Sequence, residues 1–201
     1  MAKTSIEWTE YSWNPVTGCT PISEGCQNCY AKRIANRLRG RCGYPKDEPF
    51  RVTLHPERLD EPLKWKKSRK IFVCSMSDLF HEDVPFEFID HIFAVMGRSQ
   101  QHTFMLLTKR PERMRDYLQA GRYQEILNIA YRLKFRPEGM GKGIDNPNDM
   151  RWWHNVWVGV TVENQEQADK RIPILLQIPA AVRFVSVEPM LGQIDLFKTQ
   201  A

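Results

Sequence analysis

The sequence has no long apolar run. Nowhere in its 201 residues is there a hydrophobic stretch able to cross a bilayer, and the opening Met-Ala-Lys-Thr-Ser-Ile-Glu-Trp lacks the apolar centre of a signal peptide. A membrane protein is therefore not expected, and a cytoplasmic one is. Linkers and low-complexity segments are absent too, so residues 1–201 are expected to form one domain, long enough to bury a sizeable core. The five cysteines are few and odd in number, which speaks against a disulfide framework and for metal binding or free thiols. Histidine is equally scarce. His55, His91, His102 and His154 have no partner at ligand spacing, and His81-Glu82-Asp83 reads as a solvated loop capping a helix at Phe86 rather than as a divalent-metal site.

Nor is there a large charge of either sign. Lys and Arg number 29 against 24 Asp and Glu, a net +5 with a pI near 9.0, which admits a polyanionic partner without requiring one. Lys32, Arg33, Arg37, Arg39 and Arg41 concentrate basic charge in one place, with Arg33 and Arg37 sharing a helix face. Two readings stay open for that face, an ordinary solvated surface and a nucleic-acid contact.

What is present begins with Cys19, Cys26 and Cys29, a C-x6-C-x2-C triplet in a loop spanning residues 18–30, with Gly18 and Gly25 placing turns before two of them. Three thiolates can hold an iron–sulfur cluster by three irons and leave the fourth open to a ligand. Zinc is the competing metal, with Cys42 as a possible fourth ligand beyond a basic helical stretch. Cys74, inside the apolar run Ile71-Phe72-Val73-Cys74, reads as a small buried core residue.

Short apolar runs alternate with amphipathic stretches, the pattern of βαβ units and a parallel sheet. Strands are predicted at residues 5–14, 51–54, 71–75, 103–108, 156–162 and 182–187. Helices are predicted from residue 30, over 86–96 with Phe86, Ile89, Phe93 and Met96 on one stripe, from 111, and over 165–176; a helix or turn is predicted at 57–65. Six such strands suit a (βα) barrel or part of one. Four of them run into polar clusters: Ser75-Met-Ser77-Asp78, Thr108-Lys109-Arg110-Pro111, Thr161-Val-Glu163-Asn164 and Ser186-Val-Glu188-Pro189. In parallel α/β folds that edge carries ligand groups, and helix capping alone does not call for Lys109, Arg110, Glu163 and Glu188 at matching strand ends. Residues 120–153, with a helix over 122–134 and a Gly- and Pro-containing continuation, are a candidate lid or insertion. Trp8 and Trp13 flank the cysteine loop as possible shields for a cluster.

Several long words carry a family resemblance: Trp13-Asn14-Pro15-Val16-Thr17-Gly18-Cys19, Cys26-Gln-Asn-Cys29-Tyr30-Ala31, the stretch from Ser75 to Pro85, that from Leu107 to Met114, Val158-Gly-Val-Thr-Val-Glu163, and Arg183-Phe-Val-Ser-Val-Glu-Pro189. The chain resembles the phage gene-product thirty-seven/sixty-eight family, regarded as radical-SAM-like. It is more distantly similar to radical-SAM enzymes of the spore-photoproduct-lyase type, which share a Cys-x-x-Cys-Tyr-Ala word and strands ending in Ser/Thr-Asp and Leu-Thr-Lys.

The resemblance implies a radical-SAM-like partial (βα) barrel of about six parallel strands. It implies a 4Fe-4S cluster on Cys19, Cys26 and Cys29 whose open iron chelates S-adenosylmethionine, and an external electron donor. Tyr30, Ser75, Asp78, Thr108, Lys109, Glu163 and Glu188 are then expected around the cofactor, with Glu57 standing where many relatives carry a Gly-Gly-Glu word. Two departures accompany it. Six residues separate the first two cysteines where radical-SAM motifs have three, and the sequence stops at Ala201 where longer members continue, which predicts an open barrel. Two other functions stay beside the enzyme: a non-enzymatic zinc or iron–sulfur protein that binds nucleic acid, and a phage-encoded protein that occupies a host factor through a fold with a structural metal.

Overall fold

The structure, a computed structural model, describes residues 2–4, 6–133 and 154–197. In chain order the elements are β1 (Ala2–Lys3), β2 (Tyr11–Trp13), β3 (Val16–Thr17), α1 (Tyr30–Arg37), β4 (Thr53–Leu54), β5 (Lys70–Val73), α2 (Phe86–Arg98), β6 (Thr103–Thr108), α3 (Pro111–Gln119), α4 (Tyr123–Arg132), β7 (Val156–Thr161), α5 (Gln165–Leu176) and β8 (Val182–Ser186). The main sheet has the order β1-β2-β5-β6-β7-β8. Its last five strands are parallel, and β1 is an antiparallel edge.

The expectation of about six parallel strands is thus corrected to five. Residues 51–54 do not join the sheet, because β2 and β5 are directly hydrogen-bonded and leave no slot between them. Thr53 and Leu54 instead pair antiparallel with Thr17 and Val16, helped by a hydrogen bond from the His55 amide to the Pro15 carbonyl. Residues 57–65 form single 3-10 turns at Pro56–Arg58 and Pro62–Lys64, each opened by a proline whose fixed φ starts a turn.

Side chains alternate across the strands. One face of the sheet presents Trp13, Ile71, Val73, Phe104, Leu106, Val156, Val158 and Val160, all within 2 % of complete burial against Ile89, Phe93, Met96, Met114 and Leu175 of the helices. The crossover helices α2, α3 and α5 thus pack on one side of the sequentially ordered parallel strands. Burying each such Ile, Leu or Phe contributes roughly 1.5–3 kcal/mol. α2 is covered beyond its expected stripe: Ile92, Ala94 and Val95 are also fully buried, because α4 packs along its outer side.

The opposite face carries Ser12, Phe72, Leu107, Gly159 and Phe184, and looks across a cavity to α1. There Trp8 lies on Phe72 and Phe184, with ring centroids 4.9 and 6.1 Å away. Gly159 makes this possible, since a Cβ built on it would meet the Phe184 ring at 2.7 Å.

Of the candidate lid, residues 123–132 are helix α4, tied to α2 by Arg122 on Asp90 at 2.7 Å; residues 134–153 lie outside the described residues. The anchors of that stretch, Leu133 and Asn155, are both hydrogen-bonded near the C-terminal end of α2, by Arg98 and to Met96. They sit at the edge of the sheet where β6 and β7 begin. Among the described residues no helix is long and apolar enough to cross a membrane.

Candidate functional site

At the other edge, where the parallel strands end, a cavity of about 1000 Å³ opens between the Phe72–Leu107 face of the sheet, the cysteine loop and α1. Asp78, just beyond β5, organises its base. Its Oδ1 accepts from the Thr108 hydroxyl at 2.7 Å and the Phe80 amide at 3.0 Å, and its Oδ2 from the Lys109 amide at 3.1 Å and Arg110 at 3.3 Å. Thr108 in turn accepts from the Arg110 amide at 2.9 Å. Helix capping does not explain these contacts. Of the helices that follow β5, β6 and β7, only α5 has a side-chain cap, supplied by Asn164.

Arg110 spends its guanidinium on five groups: Glu82 at 3.0 Å, Asp78, the Thr20 hydroxyl at 3.1 Å and carbonyl at 3.2 Å, and the Cys19 sulfur at 3.6 Å. Lys109, its neighbour, turns the other way. Its ammonium pairs with Glu163 and reaches the Ser23 hydroxyl at 3.3 Å and the Cys26 sulfur at 3.7 Å. Glu163 is completely buried at the end of β7, where it also accepts from Ser23 at 2.5 Å and from Arg171 of α5 at 2.8 Å. Burial alone would raise the Glu163 carboxyl; Lys109, Ser23 and Arg171 outweigh it and hold it below the usual value. The two consecutive cations thus grip the cysteine loop at its start and its middle.

Cys19, Cys26 and Cys29 all line the cavity wall, and their surroundings differ. Burial and the Asp78 charge push the Cys19 thiol up to about 11 against the opposing Arg110. At Cys26 burial also raises the thiol, but hydrogen bonds at Ile22 and Ser23 and the Lys109 charge bring it below the ordinary value. Cys29 packs against the apolar group of Ala31, Ala35, Tyr44 and Met76. Among the described residues, no three His, Cys, Asp or Glu side chains converge as the ligands of one ion do. A cubane is different, because each thiolate binds a different iron and the ligands stand farther apart. Three thiols lining one cavity, two of them facing fixed cations, have the donor chemistry of that group. Cys42 is exposed beside Arg58 and is not on the wall. Cys74 is buried, its thiol pushed up to about 12 by that burial, as expected of a core residue.

Of the residues expected around the cofactor, Tyr30, Ser75, Asp78, Thr108, Lys109 and Glu188 line the cavity. Tyr30 donates its hydroxyl to the Ser75 carbonyl, and Ser75 donates to Asn14 at 3.2 Å. Glu188 stands exposed at the lip with no side-chain partner among the described residues. Glu163 lies behind the cysteine loop. Glu57 does not reach the cavity: it sits on the Pro56–Arg58 turn, drawn outward to His55 at 3.2 Å and Arg58 at 3.5 Å. Trp8 lines the cavity, whereas Trp13 is a core residue on the helix side, donating to the Arg58 carbonyl at 2.8 Å. His81 is buried; its Nδ1 accepts from the Asp83 amide at 3.1 Å, so Nε2 carries the proton toward Thr20 at 2.8 Å.

Sequence reasoning does not single out Ser23, Thr20, Asn14 or Arg171. The first three look like ordinary loop polar groups until the loop is closed, and Arg171 reads as a helix cation. Arg110 is legible as half of a Lys-Arg strand end, but its role in holding Cys19 is not.

Fold and site together define an α/β protein with a cysteine-lined cavity at the C-terminal edge of a five-stranded parallel sheet. Residues 3–200 match a family described as proteins of unknown function, DUF5131, and the chain belongs to that family. Comparison with curated proteins and with solved structures gave no match.

Proposed function

We propose that this chain is a radical-SAM-like iron–sulfur protein of the phage gene-product thirty-seven/sixty-eight type, an enzyme built on a partial (βα) barrel. The observation that carries the reading is the position of Cys19, Cys26 and Cys29 on one wall of a cavity at the strand ends, with Lys109 and Arg110 against two of the sulfurs. Sequential strand order with the crossover helices α2, α3 and α5 on one side is what an open barrel requires. When bound, a three-thiolate 4Fe-4S cluster would supply the electron that splits the sulfonium of S-adenosylmethionine. The chain's own residues do the rest. Lys109 and Arg110 offset the negative charge that three thiolates bring; Tyr30, Ser75 and Glu188 give the cavity polar contacts for an amino-acid head group; and Trp8, Phe72 and Leu107 provide an apolar floor that limits water at the reacting end.

Anaerobic purification tests the reading. About four irons per chain, and an electron paramagnetic resonance signal of the reduced protein that shifts when S-adenosylmethionine is added, are expected. Stoichiometric zinc in an uncoloured protein would overturn it. A second function has one observation in its favour. Lys32, Arg33 and Arg37 lie exposed on α1, the helix whose Ala31 and Ile34 line the cavity, without an ion-pair partner among the described residues, which suits a nucleic-acid backbone.

A further inference from the structure

Lys109 and Arg110 are the only cations in hydrogen-bond contact with the cysteine sulfurs among the described residues, and neither is free to move away. Lys109 is held by Glu163 and Ser23, Arg110 by Asp78, Glu82 and Thr20. Glu163 is itself pinned by Arg171. The result is a fixed line of alternating charge, Arg171, Glu163, Lys109, ending 3.7 Å from the Cys26 sulfur. Positive charge and N–H donors at a cluster's sulfurs stabilise its reduced, more negative state, while nearby negative charge opposes it. Cys29, among apolar side chains, has no such neighbour.

We infer that Lys109 and Glu163 are an opposed pair of positioning residues that set the reduction potential of the group held by Cys19, Cys26 and Cys29, Lys109 raising it and Glu163 limiting the rise. The inference rests on the iron–sulfur reading above. It is distinct from cofactor binding by Lys109, because it assigns a role to a carboxylate that lies behind the loop and faces no ligand. The step concerned is the uptake of one electron by the bound cluster, with dithionite as the reductant that is oxidised.

The experiment is an anaerobic redox titration of the full chain, reconstituted with iron and sulfide and followed by electron paramagnetic resonance. Lys109→Met should lower the ratio of reduced to oxidised cluster at a fixed potential by about tenfold, ~59 mV for a one-electron couple. Glu163→Gln should move the ratio in the opposite direction, and Lys109→Arg should match the unsubstituted protein. Opposite signs are the signature, since residues needed only for structure would disturb the site in one direction. Should Lys109→Met fail to hold iron, the other two variants decide: an unchanged potential in Lys109→Arg with a raised one in Glu163→Gln supports the inference, and any other pair overturns it. Iron bound at the expected level with potentials unmoved, or moved together, overturns the inference alone. No iron in the unsubstituted protein overturns the iron–sulfur reading and the inference with it.

Discussion

Gly25 rests directly on the carboxylate of Glu163. A Cβ at position 25 would lie 2.6 Å from Oε1, and that carboxylate cannot swing aside, because Lys109, Ser23 and Arg171 hold it. Gly25→Ala should therefore push the cysteine loop off the sheet, costing about 1–3 kcal/mol as an overpacked contact does. Urea unfolding measures the loss. Combining it with Glu163→Asp, which withdraws the carboxylate, should cost less than the sum of the two single changes; strict additivity would show that the contact does not govern the loop.

The thiol wall makes its own prediction. Cys19→Ala, Cys26→Ala and Cys29→Ala should each abolish cluster binding, because neither remaining cysteine is suited to replace a missing thiolate: Cys42 is exposed away from the cavity lining, and Cys74, although it borders the cavity, is buried with its thiol pushed up to about 12. Cys42→Ala and Cys74→Ala should keep their iron. Iron analysis after anaerobic reconstitution reads all five, and an empty Cys42→Ala would point to four-cysteine ligation.

Asp78 accepts from four donors and neutralises the buried Arg110. Asp78→Asn leaves that guanidinium without its buried counter-ion and gives two of the donors a donor to face. The expected cost is about 3–5 kcal/mol, the range for breaking a buried pair from one side. A denaturation midpoint within error of the parent would show that Glu82 alone suffices for Arg110.

Acid should weaken the fold through histidine. His55, His81 and His102 are buried, and that burial above all, with Arg58, Arg110 and Arg69 adding to it, holds each below the ordinary 6.5. Above 6.5 both folded and unfolded chains carry them neutral, so stability is unaffected there. As pH falls through 6.5 the unfolded chain binds protons that the folded one does not, and stability declines until the lower folded values are passed. Urea midpoints should be flat from about pH 8 to 7 and fall by about pH 5.5. A midpoint that rises on acidification would show that these histidines bind protons more tightly in the folded chain than in the unfolded one.

Nucleic acid, if it binds, should do so through α1. Arg33→Glu with Arg37→Glu would then lower affinity and make log affinity less steep against log salt, by about 0.9 for each phosphate the helix no longer engages. Binding unchanged by the double reversal would remove α1 as the binding face.

The elements legible in the sequence are those whose signals are local. β6 and α5 fall where alternation, periodicity and capping put them, at 103–108 and 165–176. The 51–54 segment is recognisable as extended, but its partner is not, since pairing with β3 rather than with the sheet depends on β2 and β5 closing on each other. For the same reason the strand-end clusters point to the right edge, while the contacts inside them stay hidden. Ser23 meets Glu163 across 140 residues. Glu57 owes its expected place to a motif order, and its short turn directs it elsewhere.

Lys109 and Arg110 are consecutive, yet one reaches Cys26 and the other Cys19. A single peptide unit leaving β6 therefore bridges the Cys19–Cys26 part of the cysteine loop, and the phase of the chain at that point decides which thiol meets which cation. Inserting or deleting one residue between Thr108 and Pro111 would rotate both grips away together. The exit of β6 should accordingly accept a change of side chain more readily than any change of length.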